Sequence, residues 1–283
     1  MADEQERPNM KRMMKVIPFL IALAMVFSLA ACGTKDSAGD ALTSESTAAD
    51  LDGKILASFG TPIPEEEFEA MMNESIGGAL KDLMVVPSPS EMAQLIQNGQ
   101  ADAGATPAYN AKYIAARNPD LTYFTGVEME CSMVFEQGSG LKGQVDQALD
   151  ELETTGVLAE LIETWLSDEA LRQDPKPEDL EEIPDAETIR VGISGTLPPM
   201  DYATADGRPG GFNVALFGEI SKLLGKNVEF VTIDPDAKFM ALSSGTIDLF
   251  FWNFYGRFIS EDYEISQPYL TDYGAFLIRA ATE

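Results

Sequence analysis

The alternation of apolar and polar positions is clearest between Ile189 and Asp248, where it spells a strand, helix, strand, helix, strand series. Ile189-Arg190-Val191-Gly192-Ile193 is a short β-branched run that predicts a strand, and the Gly and two prolines between Ser194 and Tyr202 forbid a helix after it. Asp206 to Gly211 turns the chain. Phe212 to Leu224 then places Val214, Phe217, Ile220, Leu223 and Leu224 at the three-and-four spacing of a helix with one buried stripe, and Gly225 stands where a C-terminal cap belongs. Val228 to Ile233 predicts the next strand, Asp236 to Leu242 a helix ended near Gly245, and Ile247 to Trp252 a strand buried on both faces. Alternation of this length implies an α/β fold with a mostly parallel sheet and helices on both faces.

The first half carries a similar rhythm. Ile55 to Thr61 predicts a strand running into a helix that begins near Pro62 to Glu66, so that Gly60 and Thr61 leave backbone N–H groups free at a corner suited to a carboxylate. The acids Glu65, Glu66 and Glu67 equally suit the dipole of that first turn. Leu83 to Val86 reads as a strand, Ser90 as the cap of a helix with Met92, Leu95 and Ile96 on one face, and Ala101 to Ala105 as a strand entering Thr106-Pro107. A helix through Tyr109 and Tyr113 follows, then strands between Leu121 and Phe135. Leu141 to Leu166 predicts two amphipathic helices broken at Gly156, and Asp168 to Glu187, acidic and Pro-rich, a solvated linker.

These residues resemble a family. The strand, the loop Pro198-Pro199-Met200-Asp201-Tyr202, the run Gly211-Phe212-Asn213-Val214-Ala215-Leu216 and Gly245-Thr246-Ile247-Asp248-Leu249 are similar to the first lobe of the extracellular solute-binding proteins of family 3. Asp50-Leu51-Asp52-Gly53-Lys54 and the strand into Gly60-Thr61 resemble the start of that family's second lobe. The resemblance implies a two-lobed type II periplasmic-binding-protein fold that captures a small polar or amino-acid-like solute for an ABC importer. The lobes stand in reversed order, which implies a circular permutant; two half-domains that each need another chain are the rival reading. The expected divisions are 50–130 for the second lobe, 131–167 for a crossover strand and helices that pack on the first lobe, 168–187 for the linker and 188–283 for the first lobe.

At 283 residues and 45% hydrophobic composition the chain can bury a sizeable core. Its N-terminus reads as a targeting segment, 1–31, with Lys11, Arg12 and Lys15 ahead of an apolar run too short to span a membrane. Ser28-Leu29-Ala30-Ala31-Cys32-Gly33 resembles a bacterial lipobox, which makes Cys32 the residue expected to carry lipid and 32–49 a tether. Cys131 is then the one thiol left, so no internal disulfide is expected, and its apolar strand suggests a small buried hydrophobe. The chain lacks His, which removes the usual general base and the commonest metal ligand; no cofactor or metal is expected. A formal net charge of −28 disfavours nucleic acid and anionic headgroups and gives an exported protein solubility.

In the family an Arg clamps the ligand carboxylate and a second-lobe Asp pairs with its ammonium. Here Arg257 falls about three residues early, and Pro107 stands near the Asp position. The residues that the resemblance places around the ligand are Ser194, Thr196, Tyr202, Trp252, Phe254, Tyr255 and Arg257 from the first lobe and Gly60, Thr61, Thr106 and Tyr109 from the second. With Phe251, the aromatic members suit a planar or cationic group, or in part the sheet core. The expected partners are a small solute and a membrane permease, the expected state is a monomer, and no enzyme is expected. A non-transport sensor docking a membrane partner, and a dehydratase-like enzyme using Asp201 or Glu261, are the other classes the residues admit.

Overall fold

A computed structural model describes residues 41–60, 63–173, 175–177, 179–180, 182–252, 257 and 259–281. The lipobox with Cys32, and the site candidates Thr61, Phe254 and Tyr255, lie outside the described residues.

In chain order the elements are β1 (Ile55–Phe59), α1 (Glu65–Ile76), β2 (Asp82–Val86), α2 (Pro89–Gln97), β3 (Ala103–Pro107), α3 (Ala108–Arg117) and β4 (Leu121–Glu136). Helices α4 (Leu141–Thr155), α5 (Val157–Leu166) and α6 (Ala170–Gln173) follow. The last part holds β5 (Thr188–Ile193), β6 (Thr196–Leu197), β7 (Asp201–Ala203), β8 (Pro209–Gly210), α7 (Phe212–Leu224), β9 (Asn227–Thr232), α8 (Lys238–Ser243), β10 (Leu249–Trp252), β11 (Tyr263–Ile265) and β12 (Leu270–Arg279).

The large mixed sheet has the order β2-β1-β3-β12-β4-β10-β5-β9, with β11 also on β4. Its parallel pairs are β1 with β2 and β3, and β5 with β9 and β10; every pairing of β4 and β12 is antiparallel. The architecture turns on β4. At about 3.3 Å per residue its length is roughly 50 Å, long enough to belong to two lobes. Leu121 to Cys131 pair with β12, and Ser132 to Phe135 pair with β10. The sequence expectation of several strands between Leu121 and Phe135 is thus met by one strand, whose first part is half-exposed and whose last five residues before Glu136 are buried.

Each lobe is built on amphipathic helices. In the first, Val145, Leu149 and Leu152 of α4 meet Phe212, Leu216 and Ile220 of α7 over Val191 and Phe251 of the sheet. In the second, Met92 and Ile96 of α2 and Ala111 and Ile114 of α3 close over Ala57 and Leu277. Gly156 separates α4 and α5 with φ 83°, the left-handed conformation that ends one helix and redirects the chain into the next. Gly211 has a second reason to be glycine: a Cβ there would lie 2.4 Å from the carbonyl oxygen of Met200.

Three local expectations change. The cap of α2 is Ser88, whose hydroxyl accepts from the Glu91 amide at 3.3 Å, because Pro89 takes the first helical position and leaves the residue before it as the cap. Helix α1 begins at Glu65, so its first turn is carried by three exposed glutamates, and Gly60 lies back at the end of β1. Within 168–187 the short helix α6 buries Leu171, so helical packing continues past Leu166.

Candidate functional site

A cleft of about 650 Å³ opens where the two lobes meet. Strand ends supply its floor, as expected of α/β sheets, where loops at the carboxyl ends of parallel strands converge. From the first lobe come Ser194 after β5, Asp201 at the start of β7, Lys238 at the start of α8, and Phe251 and Trp252 at the end of β10. From the second come Ser58 and Gly60 at the end of β1, Thr106 at the end of β3, one face of α1 with Phe68, Met71 and Met72, and the stretch Thr125 to Glu130 of β4.

Of the residues named from sequence, Ser194, Trp252, Arg257, Gly60 and Thr106 line this cleft together. Thr196, Tyr202 and Tyr109 do not line it. Thr196 is exposed on the small hairpin and pairs with Tyr202, while Tyr202 and Tyr109 are half-buried against the first-lobe core. The aromatic run divides: Trp252 reaches the cleft but is 2% exposed and packs edge-on to Phe239 at 5.5 Å, and Phe251 packs on Tyr269 at 6.2 Å. Sequence reasoning missed Lys238 and the apolar face of α1. Lys238 sits at the three-and-four spacing of the buried Ala241 and Leu242, so its place on the apolar stripe was the available signal.

Asp201 organises the first-lobe wall. Its Oδ1 accepts from the Ser194 amide at 2.8 Å, the Ser194 hydroxyl at 2.5 Å and the Gly195 amide at 3.0 Å. Its Oδ2 accepts from Asn213 Nδ2 at 3.3 Å, and Asn213 Oδ1 in turn accepts from the Tyr269 hydroxyl at 3.0 Å. Buried hydrogen bonds therefore run from the cleft loop to the segment leading into β12, and such satisfied networks hold one geometry. Burial pushes the Tyr269 hydroxyl well above the usual tyrosine range, so it stays a neutral donor. Burial also lowers Lys238, while the Asp201 charge acts in the opposite sense.

The lobes touch across the cleft. Thr106 Oγ1 donates to Asn110 Oδ1 at 2.7 Å, and Asn110 Nδ2 donates to the Pro198 carbonyl at 2.5 Å. Thr106 and Asn110 are both buried, and the bond they support joins the second lobe to the half-buried Pro198 of the first. Beside it, Asp272 of β12 is 2% exposed with Oδ1 accepting from the Tyr273 amide at 2.8 Å and Oδ2 without a hydrogen-bond partner among the described residues. Burial pushes this carboxyl up to about 6, against the opposing pull of the Tyr273 amide bonded to it and the nearby amides of Tyr109 and Ala108. Cys131 is fully buried next to it, its thiol raised by burial and by the Asp272 charge. Among the described residues no cluster of His, Cys, Asp or Glu could hold a metal ion.

Two family models match the chain. Residues 189–283 match bacterial extracellular solute-binding proteins, family 3, and residues 42–148 match the NMT1/THI5 like family. Each covers less than half of the chain; with the mixed α/β sheet and its flanking helices, they support a type II periplasmic-binding-protein-like fold. The family-3 match spans Asp201, Lys238 and Arg257 and runs on through β12. No curated protein matches the sequence. Solved structures to which the chain is similar include CbnR, a LysR family transcriptional regulator, at 14% identity and a TM-score of 0.44 over 93% of this chain and 73% of that one. Others are the periplasmic aliphatic sulphonate binding protein SsuA from Escherichia coli, at 12% identity and 0.38 over 80% and 60%, and the VFT2 domain of BvgS from Bordetella pertussis, at 12% identity and 0.40 over 80% and 80%.

Proposed function

We propose that the protein is the solute-binding component of an ABC import system. It is exported, held at the membrane face through lipidated Cys32, and acts as a monomer that presents a filled cleft to a permease. The observation that carries this reading is a cleft walled by residues of both lobes, which are joined elsewhere by the Asn110 to Pro198 bond. A solute that touches both walls adds free energy only to the closed form, and closure is the signal a permease can read. Among the described residues no helix is long and apolar enough to cross a membrane, so in this reading the lipid does the anchoring.

The order of segments supports a circular permutant of the family. The C-terminal strand β12 lies between β3 and β4 and completes the second lobe's sheet, and the Ala280 amide donates to Asp120 at 2.8 Å where the strand ends. In this reading Ser194, Trp252, Arg257, Gly60 and Thr106 touch the solute, with Thr61, Phe254 and Tyr255 added from the resemblance.

Thermal shift of the full-length protein against amino acids, amines and small peptides tests the reading, since a ligand of the native state raises its apparent stability. A shift with one solute class, without turnover, is expected; no shift with any would favour a sensor that docks a membrane partner. Cys32→Ser is expected to move the protein from the membrane fraction to the soluble fraction.

A further inference from the structure

Lys238 opens α8 and is 7% exposed, and among the described residues its ammonium makes no hydrogen bond or ion pair. Its Nζ stands 5.9 Å from the centre of the Phe250 ring. The nearest opposing charge acting on it is Asp201, whose carboxylate is already engaged by Ser194, Gly195 and Asn213. The side chain is nine-tenths buried while its ammonium opens on the cleft with three donors that the protein leaves unused, and such a group invites an acceptor from there. Lys238 lines the cleft, so the missing acceptor can arrive from there. The second lobe's share of that cleft is largely apolar, with Phe59, Phe68, Met71, Met72 and Phe276, and carries the carboxylates Glu128 and Glu130 on β4.

We propose that Lys238 is the anion anchor of the cleft, donating to the carboxylate of a solute whose remaining body is apolar. The proposal rests on the reading of the cleft as a solute site and names the class of solute it takes. A carboxylate supplies the acceptor that Lys238 lacks, and the apolar body fills the wall formed by α1 and β12. Two sources share this chemistry: a simple organic acid, and an apolar amino acid whose ammonium would face Oδ2 of Asp201, which carries a single 3.3 Å bond.

Isothermal calorimetry on the full-length protein in non-ionic detergent tests it with four matched probes: phenylalanine, 3-phenylpropanoate, 3-phenylpropanamide and 3-phenylpropylamine. Binding of 3-phenylpropanoate or phenylalanine is expected, with the amide roughly ten- to hundredfold poorer than the better of the two, the range a charge-assisted hydrogen bond supplies. Whichever of the acid and the amino acid binds more tightly identifies the source. Lys238→Met is expected to remove the preference for the carboxylate over the amide, and Lys238→Arg to retain it. If the amide binds as tightly as the acid, if the amine alone binds, or if Lys238→Met keeps the preference, the anchor is overturned while capture of a solute stands. If none of the four binds up to about 10 mM, the anchor is overturned too, and the broader panel of amino acids, amines and peptides decides separately whether the cleft is a solute site.

Discussion

Asn110 of the second lobe donates its side-chain amide to the carbonyl of Pro198 on the first, and takes its own hydrogen bond from Thr106. Thr106 lines the cleft, and Asn110 is fully buried behind it. Asn110→Ala removes a donor and an acceptor at once and leaves the Thr106 hydroxyl and the Pro198 carbonyl unmatched, a loss of about 1–3 kcal/mol. The expected outcome is a lower urea midpoint and a larger radius of gyration by solution scattering in the absence of solute. An unchanged scattering curve would show that the bond does not hold the lobes together.

Asp272 gives the protein a pH dependence of predictable sign. Its carboxyl is raised to about 6 by burial, above the ordinary value of 3.8, so between those values the folded state binds more protons than the unfolded one. Stability from this group therefore falls as pH rises through that window and is flat above it, a loss of order ~3 kcal/mol. Asp272→Asn is expected to abolish that slope. Denaturant titrations of both proteins at pH 4.5, 6 and 7.5 measure the difference, and parallel curves would contradict the assignment.

The hydrophobic pattern made the β/α series from Ile189 to Trp252 legible because its strands are short apolar runs and Val214, Phe217 and Ile220 of α7 are buried at helical spacing, although Leu223 of the predicted stripe is exposed. The second lobe was legible for the same reason at Met92 and Ile96. What escaped was whatever depended on two distant segments meeting. The strand β4 read as several pieces because Thr125 to Glu130 face the cleft and break the apolar run that Cys131 to Phe135 resume. Tyr202 and Tyr109 carry polar tips that suggest a ligand, yet their rings are needed by the first-lobe core. Phe68 and Met72, which the sequence reading passed over, are buried and yet also form cleft wall. A pattern along one chain cannot say which side of a buried residue faces a gap.

Asp201 tests whether the cleft loop is a built structure. Three donors of Ser194 and Gly195 converge on one of its oxygens, and charge-assisted bonds of this kind are the stronger sort. Asp201→Ala leaves those donors without their acceptor and is expected to cost roughly 2–4 kcal/mol. Asp201→Asn keeps an oxygen for the two amides and should recover part of that loss. Melting temperatures of the pair decide it: equal losses would mean that the charge, and not the acceptor geometry, holds the loop.

Lys238 makes the opposite prediction for stability than for binding. Without solute its mostly buried side chain carries a charge that no acceptor among the described residues completes, so replacing it with an apolar side chain of similar length removes a cost, as with other partly desolvated charges exchanged for hydrophobes. Lys238→Met is expected to melt at a higher temperature than the wild type, with a gain of about 1–3 kcal/mol at neutral pH. The sign with pH follows from linkage. Burial lowers the ammonium's pKa in the folded state, so between the lowered value and the ordinary lysine range the unfolded chain binds the extra proton, and wild-type stability rises with pH across that window. Below the window the full cost remains, and above it the cost is gone. The advantage of Lys238→Met should therefore shrink as pH climbs toward the lysine range. A variant that melts lower than the wild type at neutral pH would mean that Lys238 is held by an acceptor within the protein.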